Sequence, residues 1–196
     1  MQQAEKRLIS PEKYFEMEEA AEYKNEYYHG EIFAMSGASF HHNLIAGNVL
    51  ASLHNSLRNT DCVVFISRMK IQVDEARHYT YPDVSIVCGD IEFAEGRDDT
   101  VTNPVVIFEV LSESTRSYDK GDKFTAYRKI SSLRDYILVD QYACHAEYFH
   151  INEADRWELD EFESLDDVFT IRSVGVQISL NAVYDRIELS APKMPG

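Results

Sequence analysis

The sequence predicts an α/β (α+β) fold, a mixed β-sheet flanked by helices. Three observations carry that expectation. Short apolar runs rich in Val and Ile, at Val84–Cys88, 104–111 and Asp135–Asp140, are bounded by Pro, Gly or polar turns, as buried strands are. Residues 39–58 keep Leu44, Ile45, Val49, Leu50, Leu53 and Leu57 at helical spacing. Strands and helices do not alternate regularly, and no Gly-rich phosphate loop follows a strand, which argues against a doubly wound nucleotide fold.

The elements follow in chain order. Ser10-Pro11-Glu12 starts a helix that ends near Ala20 and packs Tyr14, Phe15 and Met17; Ser caps it and Pro takes its first helical position. Two short strands then meet at a His29-Gly30 turn, which sets Glu31 just after the turn. Ser39 caps the long helix, and His41 and His42 fall in its first turn, where outward backbone N–H groups favour anions. Cys62–Ile66 and 69–73 read as strands, the second alternating and half exposed. An irregular acidic loop covers 89–103. Residues 119–130 fit a helix with Lys120, Lys123 and Tyr127 on one side. The remainder reads as a β meander and a short terminal helix at 181–187. One domain, 1–189, with a C-terminal tail, 190–196, accounts for the 196 residues.

Composition excludes several classes. A hydrophobic content of 44% is that of a soluble globular protein, and no apolar run reaches the roughly 20 residues of a membrane helix. The N-terminal residues, Met1 to Lys6, lack the basic-then-apolar order of a signal peptide, so a cytoplasmic protein is expected. Cys62, Cys88 and Cys144 are far apart and odd in number, and are expected to be buried free thiols. A net charge of −15 argues against loose, non-specific nucleic-acid binding. The charge is uneven: 112–134 holds six Lys or Arg against three acids, while 147–170 holds nine acids against Arg156 alone. The first stretch is compatible with a polyanion substrate, and the second reads as a solvated hairpin.

Two carboxylates stand out. Glu109 lies inside an apolar run, where an unpaired charge is costly, and Asp83 follows Pro82 at the mouth of another. Acids at a sheet edge, with a lysine arriving from the next element, make a Mg²⁺ site the sharp hypothesis. Asp83 could equally cap a turn, Glu109 could pair privately with a basic residue, and Lys123 could be solvated on a helix surface. A zinc site is disfavoured, because the adjacent His41 and His42 cannot place both rings on one helix face.

Pro82-Asp83, followed by an acid at the end of a later strand, resembles the PD-(D/E)XK nuclease superfamily, with one departure: Glu109-Val110-Leu111 has leucine where that superfamily usually has lysine. The rest of the chain resembles one bacterial branch, the restriction-endonuclease-like proteins long catalogued as a domain of unknown function. The likeness spans roughly residues 10–189. It rests on Gly30-Glu31-Ile32, His42-Asn43, Pro82-Asp83-Val84, Phe108 to Ser112, Ser114-Thr115, Asp119 with Lys123 and Tyr127, and Tyr136 with Val139-Asp140. The resemblance implies a restriction-endonuclease-like mixed sheet with an added C-terminal β meander. It implies a metal-dependent nuclease, most simply a DNA endonuclease, with Asp83, Glu109 and the Val110 carbonyl holding Mg²⁺ or Mn²⁺. Lys123, or second to it Lys120, would replace the missing strand lysine. Glu31 would be a further acid and His42 a donor to the phosphate. A homodimer would give two sites for two strands. The alternative is a catalytically degenerate scaffold that binds rather than cuts.

Overall fold

The computed structural model describes residues 8–35, 37–75 and 77–189. The first residues of the chain and the expected tail at 190–196 lie outside the described residues. Helix α1 (Pro11–Ala20) is capped as expected, the Ser10 hydroxyl accepting the Lys13 N–H at 3.3 Å. It buries Tyr14 but leaves Met17 largely exposed. Strands β1 (Asn25–Tyr28) and β2 (Glu31–Ala34) form a hairpin with register Tyr28↔Glu31. Its turn residues His29 and Gly30 have φ of 46° and 94°, the left-handed pair that a two-residue turn needs. Helix α2 (Phe40–Leu57) begins at the Ser39 cap and buries Ile45, Val49, Leu53 and Leu57, one stripe of its surface.

The central sheet has six strands. From one edge it runs β11 (Trp157–Phe162), β10 (Ala146–Ile151), β9 (Asp135–Asp140), β8 (Val106–Leu111), β6 (Val84–Cys88) and β3 (Cys62–Ile66). Among the described residues, β8 and β9 are the parallel pair of this sheet, and its other pairs are antiparallel. A second sheet carries the hairpin: β2, β1, β5 (His78–Thr80), β4 (Lys70–Asp74) and β7 (Thr100–Val101). Strands β5 and β7 were not expected; each is too short to leave a periodic mark, and β7 lies in what reads as an acidic loop. Strand β4 is mostly buried rather than half exposed, because Ile71 and Val73 join the core against the central sheet while Lys70, on its other face, is covered by Asp99 and the Phe15 ring. Strands β12 (Val168–Ile171) and β13 (Val176–Ser179) form a small sheet of their own, so the expected meander is split.

One face of the central sheet packs Phe108, Val110, Ile137 and Val139 against α2, β12, β13 and the short helix α5 (Leu180–Val183). The other face packs Ile107, Leu111, Tyr136 and Leu138 against Ile71, Val101, Tyr127 and Leu133. Over this face lies a helix spanning 116–127. It reads as α3 (Arg116–Tyr118), a π-helical turn (Asp119–Lys123) and α4 (Phe124–Tyr127). It starts earlier than expected and its middle is wider than an α-helix. A third cluster, Tyr14, Tyr27 and Tyr79, stacks α1 on the outer face of the hairpin sheet.

The cysteines depart from expectation. Cys62 and Cys88 stand directly opposite one another in the β3–β6 pair and form a disulfide; Cys144 is a free thiol. Their separation of 26 residues carries no hint of this, because the pairing register that joins them is set by the sheet.

Candidate active site

The site gathers where β6 begins and β8 ends. Along β8 the side chains alternate, so Ile107, Glu109 and Leu111 share the face that the 116–127 helix covers. Leucine at position 111 fills core space there. The cation comes instead from the helix lying over the same face: Lys123 Nζ sits 2.8 Å from Glu109 Oε1. Both groups are 4% exposed. The same ammonium reaches Glu26 Oε1 at 3.3 Å and Asp119 Oδ1 at 3.5 Å. The Tyr127 hydroxyl also donates to Glu109 Oε1, at 3.0 Å.

The π-helical turn accounts for this delivery. In a regular helix Lys120 and Lys123 would project to one side. The wider turn parts them: Lys123 goes inward, and Lys120 pairs with Glu147 on β10. Such turns recur at functional sites. The expectation of one shared side for Lys120, Lys123 and Tyr127 is thereby corrected, and of the two lysines only Lys123 meets Glu109.

Asp83 lies at the mouth. Its Oδ2 accepts the Val110 N–H at 2.7 Å and faces His42 Nε2 at 3.2 Å. His42 arrives there because Ser39 caps α2 by accepting the His42 N–H at 3.1 Å. Gln141 ties the same helix end to the sheet, donating to the Leu111 carbonyl at 2.9 Å while hydrogen-bonded to the Ser39 hydroxyl. Asp140, its neighbour, is taken by Arg116 at 2.6 Å.

The structure therefore brings Asp83, Glu109, Val110, Lys123 and His42 together. Glu31 opens β2, opposite Tyr28, on the same sheet face as Glu26. Glu26, on β1 of this hairpin, meets Lys123, and sequence reasoning passed it over. Glu26 is 8% exposed, bonds the Thr80 hydroxyl and accepts the Tyr81 N–H at 3.2 Å. Its signal was faint: one acid in a Tyr-rich strand, held by a partner on the unforeseen β5.

Electrostatics divide the groups. Burial pushes the Glu109 carboxyl well above the usual carboxylate range, even with the Lys123 ammonium beside it. Asp119 is raised for the same first reason. Burial works against the Lys123 cation, yet Glu109 and Glu26 outweigh it and hold its pKa well above normal. For His42, burial also opposes the cation, but the bond to Asp83, its charge and the Val110 backbone carry the net shift upward. His78, 1% exposed, is different. Both ring nitrogens are buried without a hydrogen-bond partner among the described residues, and burial pulls its pKa down to about 4.

The donor set suits a hard divalent cation. Four acids, Glu26, Asp83, Glu109 and Asp119, face Lys123 and His42, and the donors at hand are oxygens. In the bonds given above, Asp83 uses Oδ2 and Glu109 uses Oε1. Each carboxylate is thus anchored by one oxygen, with the other outside those bonds. Mg²⁺ keeps several waters and needs few protein oxygens.

Comparison with known proteins places the chain. The family model Uma2, described as "putative restriction endonuclease", matches residues 11–182. An uncharacterized protein of Synechocystis sp., slr1290, is 34% identical over 178 residues, covering 90% of this chain and 91% of its own. A second Synechocystis protein, the uncharacterized sll1609, is 34% identical over 155 residues, covering 79% of this chain and 88% of its own. A crystal structure described as a putative nuclease belonging to DUF820, from Anabaena variabilis, superposes with a TM-score of 0.74 at 16% identity, covering 90% of this chain and 97% of that one. The chain belongs to the Uma2 family and has a restriction-endonuclease-like fold.

Proposed function

We propose that this Uma2-family protein is a divalent-metal-dependent nuclease that hydrolyses phosphodiester bonds, with DNA as the substrate and Mg²⁺ or Mn²⁺ as the ion. The observation that carries the reading is the buried Glu109–Lys123 pair, 2.8 Å apart, beside Asp83 anchored on the Val110 N–H at 2.7 Å. Buried charge at a strand end is costly and finds its reason in chemistry there. The family description and the described nuclease of like fold support a nuclease in general terms.

Asp83, Glu109 and the Val110 carbonyl would hold the ion. When bound, it supplies a water of lowered pKa and neutralises charge on the phosphate. The residues of the chain do the rest. Lys123, fixed by three carboxylates, offers a positive charge to the phosphate oxygens as negative charge grows. Tyr127 and Lys123 hold Glu109 in one orientation. His42, at the mouth, can donate to the phosphate or to the leaving oxygen. Gln141 and Ser39 keep the helix bearing His42 at its distance from β8. The proposal covers one domain across 1–189, acting in the cytoplasm as a homodimer. Among the described residues, no helix is long and apolar enough to cross a membrane.

The test is cleavage of supercoiled plasmid, linear and single-stranded DNA, and RNA, each with Mg²⁺, Mn²⁺ or EDTA. Asp83→Ala and Glu109→Ala should abolish metal-dependent cutting while keeping the circular dichroism of the parent. Cutting that survives in either folded variant would remove this site. Failure of the parent to cut any of these would favour the scaffold that binds without cutting.

A further inference from the structure

Strand β3 closes one side of the central sheet, and no described strand pairs with its outer side. Two flanking bonds fix which of its backbone groups point inward. The Gly89 N–H donates to the Asp61 carbonyl at 3.0 Å, and the Ser67 N–H donates to the Asp83 carbonyl at 3.0 Å. Antiparallel ladders alternate every second residue, so 61, 63, 65 and 67 bond toward β6. Cys62, Val64 and Ile66 then direct their N–H and C=O groups outward.

Two of those six groups are already engaged. The Cys62 N–H donates to the Thr60 hydroxyl at 3.2 Å. The Ile66 carbonyl accepts the Met69 N–H at 3.1 Å and the Arg68 N–H. Among the described residues four remain: the Cys62 C=O, both groups of Val64, and the Ile66 N–H. Laid antiparallel against a copy of itself, with a two-fold axis at Val64, the strand uses all four. The Val64 N–H meets the Val64 C=O of the second copy, twice. The Ile66 N–H meets the Cys62 C=O of the second copy, twice. The groups such a ladder would otherwise leave facing each other, the Cys62 N–H and the Ile66 C=O, are the two satisfied internally.

The side chains agree. The strand reads Cys-Val-Val-Phe-Ile, without the charge or proline that guards exposed edges. Val63 and Ile66 are 41% and 47% exposed. In this register Val63 lies opposite Phe65 and Cys62 opposite Ile66, so both exposed residues gain apolar partners. Asp61 and Arg68 flank the strand with opposite charges, which an antiparallel arrangement brings to the same ends. A two-fold contact requires a surface complementary to itself, which this edge is.

We propose that the β3 edge is the homodimer interface, a second copy of this chain joining the two six-stranded sheets into one through antiparallel pairing about Val64. The interface does not depend on the nuclease reading, and its test reads assembly alone.

The experiment is sedimentation velocity on the parent, Val64→Pro and Val63→Lys. Proline is tolerated on an edge strand where the lost N–H faces outward, so Val64→Pro spares the β3–β6 ladder. The parent is expected at twice the 22.6 kDa chain mass, and both variants at 22.6 kDa with unchanged far-ultraviolet circular dichroism. Should Val64→Pro fail to fold, Val63→Lys decides. Hydrogen exchange on the parent should slow at the Val64 and Ile66 amides as concentration rises, and stay constant at Cys62, whose N–H is bonded in either state. A parent that remains at the chain mass, an open-ended assembly, or a folded variant that stays dimeric would overturn the proposal.

Discussion

The two halves of the candidate site solve the same problem in different ways. At the inner half, Glu109, Glu26 and Asp119 surround Lys123 with side-chain charges that have almost no water. At the mouth, Asp83 is held by a backbone N–H and by a histidine that still meets solvent. A buried ion depends on its counter-ions, since removing one strands the others. A carboxylate anchored by main chain keeps its anchor whatever side chain is changed nearby. The inner half should therefore govern folding stability, and the mouth should govern turnover with little effect on folding.

The largest effect should come from Lys123→Ala, which leaves three buried acids without their cation. It is expected to cost about 3–5 kcal/mol in urea unfolding. Adding Glu26→Gln should restore part of that loss, because a neutral amide replaces an acid that faced the lost cation; strictly additive costs would break the comparison.

Acid should act next, through His78. Its pKa is about 4 in the folded chain against an ordinary 6.5, so the unfolded chain binds the proton more tightly. The stability it contributes is complete above pH 6.5 and is lost as pH falls towards 4, by up to about 3 kcal/mol. His78→Phe should flatten that part of the curve of unfolding free energy against pH. An unchanged slope would show that the acids, not His78, set it.

The mouth should give the smallest changes in stability. Ser39→Ala removes a helix cap and should cost about 1 kcal/mol. His42→Ala should cost less than about 1 kcal/mol, yet slow cleavage by roughly 10²-fold. If His42→Ala destabilised the fold as much as Lys123→Ala does, the division between the halves would fail.

Much of this was legible in the sequence because buried charge is conspicuous there. Glu109 announces itself inside an apolar strand and Asp83 at the mouth of another, while the choice of Lys123 over Lys120 rested on the resemblance to the nuclease family. The long α2 and the central strands show through their periodicity. What stayed hidden depends on register and turn width. Glu26 acquires its meaning from Thr80, on a three-residue strand. The Cys62–Cys88 bridge depends on which residues of β3 and β6 face each other. The π-helical turn at Asp119–Lys123 leaves no periodic mark in the sequence. The expected alignment of Lys120 with Lys123 failed at that turn, with Lys120 drawn to Glu147.

Placing the acid on a strand and its cation on a helix has one more consequence. Two groups two residues apart on a strand move as one body. Glu109 and Lys123 belong to different layers, held together by the packing of Tyr127 and Phe124 over Tyr136. A slide of the helix across the sheet separates acid from cation while every hydrogen bond within β8 survives. The pair is therefore a gauge of layer alignment, and a ligand or partner that shifts residues 116–127 across the sheet would draw Lys123 away from Glu109.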